Sequence, residues 1–259
     1  MLSLTWVGHS TVLLDVDGTR LLTDPLLRTR VAHLRRVRPV NAGELGHIDA
    51  VLISHGHYDH LDLASLRKLD PSIPVVVPRG LAGVLRRGGR KNIQEVEAWD
   101  ELTFGPVTVR ATPAEHAAGG GVRRGEPLGF VVQGSRSAYF AGDTDLFEGI
   151  DRLGPVDVAL LPVWGWGRSI GPGHLNPQRA ATAISLLRPH VAIPIHWGTY
   201  HPLHVRRAAF LTEPPLEFRR FASEVAPETR VEILGLGETF SLTQGAGAAT
   251  PEEQGREEA

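Results

Sequence analysis

The segment His55-Gly56-His57-Tyr58-Asp59-His60 places four potential metal donors within six residues. Imidazole nitrogens and carboxylate oxygens are ordinary ligands of zinc and related divalent ions. Four donors so close together cannot all reach one ion, but alternate residues can serve two neighbouring ions. A solvated polar loop, or histidines satisfied by backbone groups, is the competing explanation. It gives no reason for such a density of donors on a short loop. Three further donors each follow an apolar, strand-like run: His116 after Val107 to Thr112, Asp143 after Ser137 to Ala141, and His196 after Val191 to Ile195. Each alone would read as a satisfied polar residue. The repeated placement joins them to the cluster.

Rigid elements must hold these donors, and the chain supplies them. Leu2 to Val7, Thr11 to Val16 and Arg20 to Thr23 read as strands, with Asp17-Gly18 as a hairpin turn. Ala50 to Ser54 is a continuous apolar run that delivers the histidine cluster. Leu61 to Leu69 reads as a short helix, Ile73 to Val77 as a strand and Leu81 to Arg87 as a helix. Strands are expected at 93–96, 101–104, 107–112, 128–133, 137–141, 156–162 and 191–195, and Phe147 to Leu153 is expected to be helical. Asn176-Pro177 opens a helix, with Asn as N-cap and Pro at the first position. Ala180, Ala183, Ile184 and Leu187 then keep helical spacing. The small residues Ala180, Ala181 and Ala183 suit packing on a sheet or on a partner equally. Two more helical stretches and strands at Arg230 to Leu234 and Thr239 to Leu242 follow. Val31 to Gly46, polar and basic, reads as a surface loop. Strands followed by helix and strand, in both halves, suit two sheets packed face to face with helices outside.

The organisation expected is one domain over 1–242 and a disordered tail over 243–259, where Gly, Ala, Glu and Gln dominate. The formal charge is −2, so no basic field is present to hold nucleic acid or an anionic membrane. There is no cysteine, which excludes disulfides, thiolate ligands and cysteine nucleophiles. No run reaches the roughly 18 apolar residues that span a bilayer, and Met1 to Trp6 lacks the pattern of a signal peptide. A soluble cytoplasmic protein is expected, with a small-molecule substrate, no nucleic-acid partner and no integral membrane segment.

The chain resembles the metallo-β-lactamase-fold hydrolases. His55-x-His57-x-Asp59-His60, His116, Asp143 and His196 stand in that family's order. The resemblance implies an α/β, four-layer αββα sandwich with the site at one end of the sheets. It implies that His55, His57 and His116 hold one metal, that Asp59, His60 and His196 hold a second, and that Asp143 bridges them. Trp6-x-Gly8-His9-Ser10-Thr11, Thr23-Asp24-Pro25, His174-Leu175-Asn176-Pro177 and Pro194-Ile195-His196-Trp197-Gly198-Thr199 narrow it. These resemble the subgroup containing ascorbate-6-phosphate lactonase and the phospholipase D acting on N-acyl phosphatidylethanolamines. In that subgroup a histidine at the position of His174 lies near the pocket, where it binds substrate or donates a proton; packing at a helix start competes with that role. His9 and Asp24 could orient ligands or simply form tight turns.

Two divalent ions, zinc first with manganese or iron as alternatives, would yield a bridging hydroxide near neutral pH. That hydroxide would attack a lactone, ester or phosphodiester, with Asp59 orienting it. Trp164 and Trp166 could wall an apolar pocket. Tyr200, His201 and the loop arginines Arg123, Arg124 and Arg168 are weaker candidates for substrate contact. A nuclease of the same fold and a non-catalytic metal-binding protein are the alternatives. The near-neutral charge opposes the first, and the full donor set opposes the second. His57 stands where family members doing oxygen chemistry with two irons carry Glu, which opposes an oxidoreductase.

Overall fold

Strands that bury both faces build the frame. Along Val158–Pro162, Val158 and Leu160 enter one apolar cluster while Ala159 and Leu161 enter another, the two-residue period of a pleated strand. The structure is a computed structural model that describes residues 1–116, 125–165, 170–202 and 211–242. Its first large sheet runs, in spatial order, Thr239–Leu242, Leu2–Gly8, Thr11–Val16, Thr19–Thr23, Ala50–Leu52, Val75–Pro78 and Ile93–Val96. The second runs Arg230–Val231, Val191–Ile195, Val158–Pro162, Ser137–Phe140, Leu128–Gln133, Val107–Pro113 and Glu101–Phe104.

The two sheets share an interior in which Leu4, Trp6, Val12 and Leu14 of the first meet Val109, Phe130, Phe140 and Ile193 of the second. Outside the second sheet, the helices Pro177–Leu187 and Glu213–Val225 cover Tyr139, Ala159 and Leu161. Outside the first, the short helices Leu63–Leu66 and Ala82–Arg87 cover Val51, Ile53 and Val75. The expected αββα order of layers is therefore present. Ala180, Ala181 and Ala183 are buried in the cluster that the second sheet shares with the helices Pro177–Leu187 and Glu213–Val225. Asn176 accepts from Arg179 N at 2.8 Å as the N-cap, with Pro177 next to it. No helix among the described residues is long and apolar enough to cross a membrane.

Parallel pairing aims the donors at one end. Thr19–Thr23, Ala50–Leu52 and Val75–Pro78 run parallel, as do Ser137–Phe140, Val158–Pro162 and Val191–Ile195. Asp24, the histidine loop, Asp143 and His196 all follow the carboxyl ends of these strands.

Several expected elements differ. Val31 to Gly46 is not a plain loop: Arg30–Val31 and Leu34–Arg36 form a hairpin, and Ala42–Leu45 forms a 3-10 turn. The hairpin pairs with Tyr200–Pro202 and buries Val31 and Leu34 against Leu26 and Tyr200. Phe147 to Leu153 contributes only the 3-10 turn Ile150–Leu153, which starts after Gly149 in a left-handed conformation. The helix expected over Leu61 to Leu69 shrinks to Leu63–Leu66, because Asp62 caps its start. The last strand before Thr239–Leu242 is limited to Arg230–Val231. The expected tail over 243–259, with Arg123, Arg124, Trp166 and Arg168, lies outside the described residues.

Candidate metal centre

The histidine loop is folded by its own backbone. His60 N and Leu61 N both donate to His57 O, at 3.1 and 2.8 Å. Asp62 then closes the loop by accepting from Ser65 N at 2.9 Å at the start of the next helix. This turn packs His55, Asp59 and His60 inward, each at most 6% exposed, while His57 is half-buried and Tyr58 stays outside.

Three imidazoles converge on one side. His55 Nε2 and His116 Nε2 approach His57 Nδ1 to 2.8 and 2.9 Å. On the other side, Asp59 Oδ2 lies 3.4 Å from His60 Nε2 and 3.6 Å from His196 Nε2. Asp143 stands between the groups. Its Oδ2 is 3.3 Å from His60 Nε2 and 3.5 Å from His174 Nε2, and its Oδ1 is 3.3 Å from His196 Nε2. It also joins His116 and His174 in a set of donors able to share one ion.

The residues fit divalent cations on a specific observation. His60 Nε2, His196 Nε2 and Asp143 Oδ1 are fully buried and have no hydrogen-bond partner. Buried polar atoms are rarely left so, and here the Asp143 carboxylate lies 3.3 Å from both His60 Nε2 and His196 Nε2. A cation among them would satisfy each at once.

Partners behind the donors fix ring orientation. His116 Nδ1 donates to Gly173 O at 2.7 Å, and His196 Nδ1 to Trp164 O at 2.5 Å, which turns each Nε2 into the site. Asp24 accepts from Ser54 N at 2.7 Å and from Ser54 Oγ at 2.5 Å, and its Oδ2 faces His60 Nδ1. Ser54 Oγ also lies 2.9 Å from His55 Nδ1. Gly142, at φ +61°, lets the strand carrying Asp143 close on Ser54; a Cβ there would stand 2.6 Å from the Ser54 Cβ.

Charge is balanced tightly. Burial pushes the imidazoles of His55, His57 and His116 below their ordinary range, which favours the neutral, ligating form. Burial also opposes charge on His60, but the carboxylates of Asp143, Asp59 and Asp24 outweigh it and hold its imidazolium well above that range. Burial would raise Asp59 and Asp143, yet His60 holds the first well below the usual carboxylate range, and His196 with His60 holds the second there. Three buried carboxylates thus call for positive charge among the histidines. A cation bound by these residues would supply that charge in place of the His60 proton.

All seven expected ligands meet here: His55, His57, Asp59, His60, His116, Asp143 and His196. His174 joins them, half-buried, with Nδ1 near the carbonyls of Gly171 and Pro172 at 3.2 and 3.3 Å. His9 and Asp24 both adopt positive φ in turns, and their side chains reach Asp59 and His60 at 2.9 and 2.7 Å. Tyr200 is buried, with its hydroxyl donating to Arg28 O at 2.7 Å, and His201 sits on the small sheet. Trp164 is half-buried and contributes its carbonyl. Ser54 was not singled out from sequence, although a hydroxyl directly before the histidine cluster was a usable signal. The carbonyls of Trp164 and Gly173 leave no such signal, since every residue has one.

The β-lactamase superfamily domain matches residues 19–197 of the chain. A UPF0173 metal-dependent hydrolase of Caldivirga maquilingensis is 31% identical over 245 residues, covering 92% of this chain and 97% of its own. The N-acyl-phosphatidylethanolamine-hydrolyzing phospholipase D 1 of Caenorhabditis elegans is 31% identical over 226 residues, covering 76% of this chain and 64% of its own. The chain spans 59% of the length of Mycobacterium tuberculosis relatives to which it is 34% identical over 221 residues. A metallo hydrolase structure from Ignicoccus hospitalis shares the fold, with a TM-score of 0.70 at 24% identity over 93% of this chain and 99% of that one.

Proposed function

This chain belongs to the β-lactamase superfamily, and from that premise we propose that it is a cytoplasmic hydrolase using two divalent cations, zinc first, on a small-molecule lactone, ester or phosphodiester. The observation that carries the reading is the trio of buried, unpartnered ligand atoms on His60, His196 and Asp143. In this proposal His55, His57 and His116 hold one cation, Asp59, His60 and His196 hold the other, and Asp143 serves both.

Cations bound there would lower the pKa of a shared water and polarise the substrate oxygen. The chain's own groups do the rest. Asp59 Oδ2, 3.4 Å from His60 Nε2 and 3.6 Å from His196 Nε2, would also orient the attacking water. His174, with Nδ1 turned to backbone carbonyls, presents Nε2 beside Asp143, where it would hold a proton for the departing oxygen or bind the substrate. The carbonyls of Gly173 and Trp164 keep His116 and His196 in the tautomer that ligates through Nε2. No serine or cysteine nucleophile is required.

The worm relative, named for hydrolysing N-acyl-phosphatidylethanolamine, makes the phosphodiester branch the first to test. The test is elemental analysis of the purified chain together with hydrolysis of a nitrophenyl phosphodiester and a simple γ-lactone. Two cations per chain with turnover of one class supports the reading and chooses the branch. A chain that binds no cation after reconstitution sinks it.

A further inference from the structure

One buried histidine beside this centre has no role in the reaction scheme above. His9 occupies the turn between strands Leu2–Gly8 and Thr11–Val16, is 3% exposed, and adopts a left-handed backbone at φ 56°. Its backbone is tied on three sides. Trp6 Nε1 and His196 N donate to His9 O at 2.9 and 3.0 Å, and His9 N donates to Thr199 Oγ1 at 2.6 Å. The Trp6 and Trp197 rings stack at 4.8 Å beside this joint. A turn of the first sheet is thereby pinned to residues 196–199, which leave the second sheet.

The side chain then reaches two donors of the same proposed cation. Nε2 lies 2.9 Å from Asp59 Oδ2, and the ring lies 3.8 Å, centroid to centroid, from that of His196. A carboxylate only accepts, so a hydrogen bond at this distance places the proton on Nε2. A protonated nitrogen has no lone pair for a metal. His9 could otherwise pass for a ligand, since its donor atom lies within 4.8 Å of those of Asp59, His60 and His196.

We propose that His9 is a positioning residue that sets the affinity of the second cation alone, through an Nε2–H bond that fixes Asp59 and a ring that holds His196. The proposal rests on the two-cation reading. Left-handed backbone in a non-glycine residue costs free energy and persists where the surroundings enforce it. Here both sheets enforce it, and the product is an aimed Nε2–H.

The test is titration of the metal-free full chain with Co2+, followed by calorimetry and visible absorption, in wild type, His9→Asn and His9→Gln. Asn tolerates the left-handed backbone but falls short of Asp59; Gln places an amide N–H near the position of Nε2–H. Wild type is expected to take two Co2+ ions. His9→Asn should bind the second about 10–100-fold more weakly with the first unchanged, and His9→Gln should recover most of the loss. The proposal is overturned if His9→Asn keeps both affinities, if both sites weaken equally, or if Gln is as poor as Asn. A wild type that takes fewer than two ions overturns the two-cation reading, and the proposal with it, before any substitution is compared. Nitrogen NMR of zinc-loaded wild type is independent of how the variants fold: His9 should show a proton on Nε2, and a metal-bound Nε2 overturns the proposal.

Discussion

Asp24 Oδ2 stands 2.7 Å from His60 Nδ1, and both side chains are wholly buried. Since Asp24 also accepts from Ser54 N, both its oxygens are committed. Asn offers one acceptor oxygen in place of two, so Asp24→Asn must abandon either Ser54 or His60. Metal affinity should fall about 10–100-fold, as when a carboxylate behind a ligating histidine is lost. Metal retained after dialysis against a weak chelator measures this, and wild-type retention would refute the role.

His116 comes from the second sheet but meets His57 of the first at 2.9 Å. His116→Ala should lower metal content and abolish hydrolysis of the nitrophenyl phosphodiester or lactone. Because His116 is only half-buried on a loop, the metal-free protein should unfold at nearly the wild-type temperature. Full activity with unchanged metal content would remove His116 from the site.

His174 contacts Asp143 from the rim, at 3.5 Å, without belonging to the three-histidine set. His174→Ala should keep both cations and lower kcat by about 10²–10⁴-fold, the usual range for a lost proton donor. Steady-state kinetics with parallel metal analysis decides it. Unaltered kcat with full metal content would return His174 to a packing role.

Asp157, just before the start of the strand Val158–Pro162 and so away from the metal donors, reports on fold stability. Burial would raise its carboxyl, but hydrogen bonds from Ser137 and the Arg136 guanidinium hold it below the usual carboxylate range. A folded-state pKa below the unfolded one means the stabilisation is complete above the unfolded value of about 3.9 and fades as pH falls through the folded value. Asp157→Asn should therefore lower the unfolding temperature at neutral pH, and the gap to wild type should close toward strongly acidic pH. A gap that stays constant with pH would rule out the charge as its cause.

Much of this site was legible because its donors sit where local chemistry marks them. His55, His57, Asp59 and His60 fall within six residues, and His116, Asp143 and His196 each follow an apolar run. Period and composition report strand ends directly, so the two large sheets and the helix opened by Asn176-Pro177 could be read as well. What could not be read depended on distant partners. The hairpin of Arg30–Val31 and Leu34–Arg36 pairs with Tyr200–Pro202, and its own polar, basic composition gives no hint of that edge. The Phe147 to Leu153 stretch has helical composition, but left-handed Gly149 breaks it to a single 3-10 turn. Residue types and their spacing identify the atoms that could ligate and place them after strands. Which of them meet, and which partners aim them, depends on the packed fold, because Ser54 against Asp24, Gly142 against Ser54 and His9 against Asp59 are contacts between strand ends distant along the chain.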